Sequence, residues 1–217
     1  MRVVSWCTVL VSIGVMTACT NSLPAPVARP VPQAGTRSFD EVLAQRRSVR
    51  EFASTALTRE EVLKLSWAAQ GVTDSRGLRT APSAGALYPL ELYVVTFEGS
   101  FHYDPAGNVL TEHAAGDRRT ALFEAALRQD AVREGAAIFV IAAVYERTRV
   151  KYGDGSERYV HMEAGHAAQN LLLEATALGL GAVPIGAFDD AGVQGALSLP
   201  EDHVPLYLIP VGHPRQQ

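Results

Sequence analysis

Residues 158–178 limit the fold more than any other stretch of this chain. They contain no proline, and at a helical 100° per residue Met162, His166, Gln169, Asn170, Leu173 and Ala177 share one side. Ala168, Leu171, Leu172, Ala175 and Leu178 take up most of the remainder, which leaves Glu163 and Glu174 for an exposed stripe. A helix apolar nearly all round is a buried helix. With 217 residues the chain offers one domain of ordinary size plus extensions. Burial on every side of such a helix therefore calls for a partner subunit as well as a core. On such a helix His166 reads as a satisfied core histidine.

The flanking sequence supplies the layers. Ser38 with Glu41, and Thr58 with Glu61, form capping boxes that open helices running to about Arg47 and to a stop near Gly71. Residues 74–80 read as a polar loop. Strands are expected at 91–96, 100–103 and 109–112, the last two joined by a turn at 104–108. Residues 118–128 read as helix, and the nearly all-apolar run 136–144 as a central strand. After the long helix, Gly179 and Gly181 end it and strands follow at 182–185 and 205–211, with Asp189-Asp190 capping a helix between them. Strands and helices alternate without a strict βαβ repeat, which indicates the α+β class.

A net charge of −4 with no basic block argues against nucleic acid as a partner. The two cysteines, Cys7 and Cys19, lie at the N-terminus, so the folded part has neither a disulfide nor a thiolate metal site. Six scattered histidines show no metal-ligand spacing, so no metal is expected. Residues 1–18 read as an export signal, with Arg2 before a short apolar run. Met16-Thr17-Ala18-Cys19 resembles a bacterial lipobox, with Met16 where leucine is usual. Two outcomes follow: a membrane-anchored lipoprotein lipidated at Cys19, or plain secretion to the periplasm. Any membrane contact is expected only through that anchor. Residues 19–37, with Pro24, Pro26, Pro30 and Pro32, read as a tether, and residues 38–217 as the folded domain.

Four segments carry chemistry. Arg46, Arg47, Ser48 and Arg50 can bind a phosphate by charge-assisted hydrogen bonds, or simply form a solvated basic helix end. Pro82-Ser83-Ala84-Gly85-Ala86-Leu87-Tyr88-Pro89 is a run of small residues framed by prolines, suited to close approach of a flat ligand. Tyr88 reads as a half-buried strand-entry tyrosine or a stacking group. Lys151-Tyr152-Gly153 precedes the long helix, and Pro184-Ile185-Gly186-Ala187-Phe188 follows it.

In this order, the segments resemble the FMN-dependent nitroreductase family over roughly residues 38–214. The Pro-Ser-Ala-Gly-Ala-Leu-Tyr-Pro run looks most like its SagB-type branch, which includes the thiazole/oxazole-forming dehydrogenases. The resemblance implies a nitroreductase-like fold, with a central mixed β-sheet flanked by helices, in a homodimer with FMN at the interface. It places Arg46, Ser48 and Arg50, with Arg47 beside them, on the FMN phosphate or ribityl chain. It places Pro82, Ser83, Ala84, Gly85 and Ala86 along the flavin, and Gly186 and Ala187 beneath it. Ala86 stands where the family often has Asn or Gln, so contact there falls to backbone amides and Ser83. Arg215 is the basic residue left near the C-terminus to reach the phosphate. Lys151 and Tyr152 match a pair tied to activity in the dehydrogenases, against the plain reading of a solvated loop lysine.

The expected function is an FMN-dependent oxidoreductase acting by hydride transfer on a small-molecule substrate. Two alternatives stand beside it: an NAD(P)H-dependent nitro or quinone reductase, and a flavin- or ligand-binding lipoprotein without turnover. An exported enzyme meets little NAD(P)H, so the expectation is a donor other than free NAD(P)H, such as a membrane quinol or a redox partner, or else use as an oxidase-type dehydrogenase.

Overall fold

The computed structural model describes residues 37–215. The export signal, Cys19 and all of the tether except Arg37 lie outside the described residues. Both capping boxes form. The Ser38 hydroxyl accepts from the Glu41 N–H and Glu41 reaches back to Ser38, opening α1 (Phe39–Gln45). Thr58 and Glu61 do the same for α2 (Arg59–Gln70), which stops at Gly71.

The sheet strands are β1 (Leu90–Val95), β2 (Gly99–Asp104), β3 (Val109–Ala115), β4 (Ala137–Ala143), β5 (Gly181–Ala182) and β6 (Val204–Gly212). Their order is β3-β2-β1-β4-β6-β5. Each of these pairings is antiparallel, and the parallel component among the described residues is the isolated bridge between Ser48 and Ala182. The helices are α3 (Arg119–Ala125), α4 (Asp130–Glu134), α5 (Tyr145–Tyr152), α6 (Ser156–Ala177) and α7 (Asp190–Leu197).

Period-two alternation sends the strand residues to two cores. Leu92, Val94, Phe139, Ile141 and Ile209 pack with Leu65 of α2 and with Ala164, Leu171 and Ala175 of α6. Tyr93, Val95, Ile138, Val140 and Leu208 pack on the other face with Leu122 of α3, Val132 of α4 and Val193 of α7. Covered on both faces, β4 is buried throughout, which is why its sequence is an unbroken apolar run.

Four local expectations change. α3 ends at Ala125 rather than reaching 128, because Leu127 and Arg128 take left-handed φ values of 56° and 59°. β5 has only two residues, and Ile185 rejoins the sheet as a single bridge to Leu208. Asp189 stands at the N-cap of α7 but makes no side-chain cap hydrogen bond. The largest change is on α6. Glu163, expected on an exposed stripe, is 2% exposed, whereas Met162 is 46% exposed and His166 and Gln169 are also open to solvent. Glu163 lies between Val160 and Ala167 on the helix surface, and those two face the core.

Candidate functional site

The arginine segment is fixed to the edge of the sheet. The Val49 N–H donates to the Ala182 carbonyl at 3.0 Å, and Ser48 bridges Ala182. Gly181 makes the approach possible, since a Cβ there would lie 2.6 Å from Val49 Cγ1. Val49 packs inward, so Ser48 and Arg50 on either side of it point to solvent. Arg47 folds back on the Ala44 and Arg46 carbonyls, at 3.0 and 2.8 Å. Among the described residues, Arg46, Arg47 and Arg50 have no carboxylate partner.

Arg215 is engaged differently. Its backbone N–H donates to Glu51 O at 3.1 Å, while its guanidinium donates to Phe52 O at 3.2 Å and to Glu134 Oε2 at 2.8 Å. Those partners direct its charge toward Glu134 at α4. Gly186 and Ala187 follow the Ile185–Leu208 bridge and are exposed, with the Ala187 carbonyl accepting from Gln129 Nε2 at 2.8 Å.

The small-residue loop adopts an unusual backbone. Gly85, Ala86 and Tyr88 have φ values of 66°, 54° and 47°, of which glycine alone adopts such a value readily. A hydrogen bond from the Tyr88 N–H to Ser83 Oγ, at 2.9 Å, clips the loop shut. Asn170 of α6 donates to the Thr80 carbonyl at 3.2 Å, and Arg79 donates to Gln70 Oε1 at 2.7 Å. The Arg79 guanidinium also covers one face of the Tyr88 ring, 4.4 Å from its centroid.

Lys151 and Tyr152 come to this same loop. They end α5, a helix rather than the expected lead-in loop. A Cβ on Gly85 would lie 2.9 Å from Lys151 Nζ and 3.0 Å from Tyr152 Oη. The Lys151 ammonium is 5.5 Å from the Tyr152 ring centroid, and the Tyr159 ring lies 4.9 Å from that of Tyr152. Arg147, one turn earlier, donates to the Tyr88 carbonyl at 3.1 Å and ion-pairs with Glu91. Glu91 also binds His102 Nε2 at 2.6 Å. Burial pushes the Glu91 carboxyl up, but His102 and Arg147 together outweigh it and bring it down to about 2.

Three participants were not legible as site residues: Arg79, Arg147 and Glu163. Burial pushes the Glu163 carboxyl up to about 7, against the opposing pull of the Ser83 hydroxyl and Arg79. The sequence signal available was its position between two core-facing helix residues.

The protein thus supplies cations at a sheet edge, and an ammonium and a phenol over a glycine backbone. Such groups bind, orient and move protons while a cofactor carries the electrons, which is how a cofactor-dependent oxidoreductase is built. Residues 43–213 match the nitroreductase family, and the chain belongs to that family of oxidoreductases. A nitroreductase-family protein of Methanocaldococcus jannaschii is 46% identical over 180 residues, covering 80% of this chain and 90% of that one. A nitroreductase-family structure from Ralstonia eutropha superposes with a TM-score of 0.78 at 29% identity, covering 90% of this chain and 96% of that chain. Another, from Desulfovibrio desulfuricans and in complex with FMN, gives a TM-score of 0.63 at 27% identity, covering 83% and 88% of the two chains.

Proposed function

We propose that this chain is an FMN-dependent dehydrogenase of SagB type, exchanging hydride with a small-molecule substrate at a homodimer interface. The observation that carries this reading is the meeting of Lys151 and Tyr152 with Gly85, because two segments far apart in sequence converge on the loop assigned to the flavin. The residues fit the cofactor. Arg46, Ser48 and Arg50 present donors with no carboxylate partner among the described residues, suited to a phosphate. The 82–86 loop and Gly186 leave backbone accessible to a flat ring. Bound FMN supplies the two-electron chemistry, accepting or returning a hydride. Lys151 and Tyr152 handle the accompanying proton: Lys151, once it has given up its own proton and stands as the neutral amine, accepts it from substrate carbon, and the Tyr152 phenol relays it.

The open stripe of α6, with Tyr159, Met162, His166 and Gln169, supports the two-fold pairing. Phe39 of α1, 66% exposed, adds apolar surface beside Leu173. We further propose export, with lipidation at Cys19, and an electron donor or acceptor other than free NAD(P)H.

The full-length protein is purified and its visible spectrum and extracted flavin are measured. Stoichiometric FMN is expected. Lys151→Ala and Tyr152→Phe should retain it while substrate-dependent flavin reduction falls about 10²–10⁴-fold. Full reduction rates in both variants would remove the assignment. Rapid turnover with NAD(P)H and a nitroarene or quinone would establish the reductase alternative instead.

A further inference from the structure

Tyr88 is a non-glycine residue in the left-handed region, with φ 47°, and three separate contacts hold it there. Its N–H donates to Ser83 Oγ at 2.9 Å, its ring lies 4.4 Å from the Arg79 guanidinium, and its carbonyl accepts from Arg147 Nη1 at 3.1 Å. A strained residue persists only where its surroundings over-determine it, and such residues gather at working sites. Ser83 and Arg79 belong to the same connection between α2 and β1 as Tyr88 itself. Arg147 comes from a different element, α5.

Arg147 has a second contact. Its Nη2 donates to Glu91 Oε1 in an ion pair, so one planar guanidinium spans the end of the loop and the start of β1. The Glu91 carboxylate is itself fixed, because its other oxygen bonds His102 Nε2 on β2 at 2.6 Å. The main chain repeats the link: the N–H of Val144, the N-cap of α5, donates to the Pro89 carbonyl at 2.8 Å. The consecutive carbonyls of Tyr88 and Pro89 thus both accept from the start of α5.

α5 depends on such ties. Thr148 is its only buried residue, so apolar packing does little to fix it. Toward α6 it is held by Tyr145, whose hydroxyl meets His161 Nε2 at 2.6 Å, and by the Tyr152–Tyr159 ring pair. Toward the loop its side-chain hydrogen bond is that of Arg147. Lys151, four residues further on, lies one turn along the same face of the helix, with its ammonium at Gly85.

We propose that Arg147 is a positioning residue for the hydride-transfer site, its one guanidinium setting both the left-handed Tyr88 that closes the 82–88 loop and the reach of Lys151 over that loop; this rests on the cofactor reading above. Lysine cannot replace it, because an ammonium keeps the charge but not the fork that meets Tyr88 and Glu91 together. Without the fork, α5 slackens and Lys151 draws back from the loop. An ammonium beside the loop favours reduced FMN, which carries the greater negative charge, over the oxidised form, so its withdrawal lowers the midpoint potential of the bound flavin.

The test compares full-length wild type with Arg147→Lys. In the apoproteins, amide hydrogen exchange read by mass spectrometry should be about tenfold faster or more over residues 82–88 and 145–152 of the variant, as the loss of a charge-assisted hydrogen bond implies, and unchanged in β4. In the FMN-loaded proteins, the midpoint potential should fall by about 30 mV in Arg147→Lys, an about tenfold shift in relative affinity for the reduced flavin. Lys151→Ala should fall at least as far, and the double variant no further than Lys151→Ala, because Arg147 acts through that lysine. Full additivity in the double variant, or wild-type exchange and potential in Arg147→Lys, would overturn the inference. Should Arg147→Lys fail to fold, Glu91→Gln leaves the arginine and removes the charge that holds it. The same faster exchange over 82–88 and 145–152 is then expected, and wild-type exchange there would overturn the inference. Wild-type protein that binds no FMN in equilibrium dialysis would overturn the cofactor reading, and the positioning role with it. Stoichiometric FMN with equal exchange in wild type and variant would overturn the positioning role alone.

Discussion

Gly85 is where a single atom can separate the binding loop from the groups set over it. Its φ of 66° suits glycine, and an added Cβ would stand 2.9 Å from Lys151 Nζ and 3.0 Å from Tyr152 Oη. Gly85→Ala should therefore cost about 1–2 kcal/mol in the left-handed backbone. It should cost more in activity, because displacing a reactive group by about 1 Å can slow a reaction about 10²-fold. Flavin reduction measured beside urea denaturation separates the two effects, and a variant with wild-type reduction rates would remove Lys151 and Tyr152 from the reaction. Arg50 tests the other end of the site. Losing a charge-assisted contact to phosphate costs about 1.5–3 kcal/mol, so Arg50→Ala should weaken FMN at least about tenfold by equilibrium dialysis, with stability unchanged.

At the scale of elements, legibility followed the strength of the local signal. Both capping boxes were readable because the cap and its partner are side chains written in the sequence. β4 was readable because burial on both faces leaves no polar position. α5 was not, because Thr148 is its only buried residue and so no apolar stripe marks a helix. α4 and β5, at five and two residues, are too short for a period to show. The same limits governed the site. The arginine segment and the 82–86 loop were visible as composition, but their neighbours Arg79, Arg147 and Glu163 become site residues only through tertiary placement. α6 was readable as a helix, but not which side of it faces the core: Glu163 is buried, and the side with Met162, His166 and Gln169 is open in the single chain. Met162, 46% exposed on that side, should sit in the proposed two-fold contact. Met162→Asp would bury a carboxylate there at a cost of several kcal/mol. Sedimentation should then show monomer, and flavin content should fall with it. A dimer fully loaded with flavin would place the interface elsewhere.

Across the whole molecule, a half-buried carboxyl and a buried one set opposing limits on stability. Glu91 of β1 holds His102 of β2 and Arg147 of α5, so its charge joins two strands to the helix that carries Lys151 and Tyr152. Its pKa is depressed to about 2 by His102 and Arg147, in spite of burial. That contribution is fully present above the unfolded value of about 4.3 and is lost as pH falls through the folded value. Glu163 is raised to about 7 by burial, so its sign is opposite. Below about 4.3 it is neutral in both folded and unfolded chains and costs nothing; between about 4.3 and its folded pKa the unfolded chain ionises first, and stability declines as pH rises. Together they place a stability maximum between the two windows, on the acid side of neutrality. Urea midpoints measured from about pH 3 to about pH 8 should trace that dome. Glu91→Gln should flatten its acid limb and Glu163→Gln its neutral limb, each leaving the other limb in place. The carboxyls lie on different elements with separate hydrogen-bond partners, so the two effects should also add in the double variant. A wild-type midpoint that stays level from about pH 5 to about pH 8 and is unaltered by Glu163→Gln would show that Glu163 ionises as readily in the folded protein as in the unfolded chain.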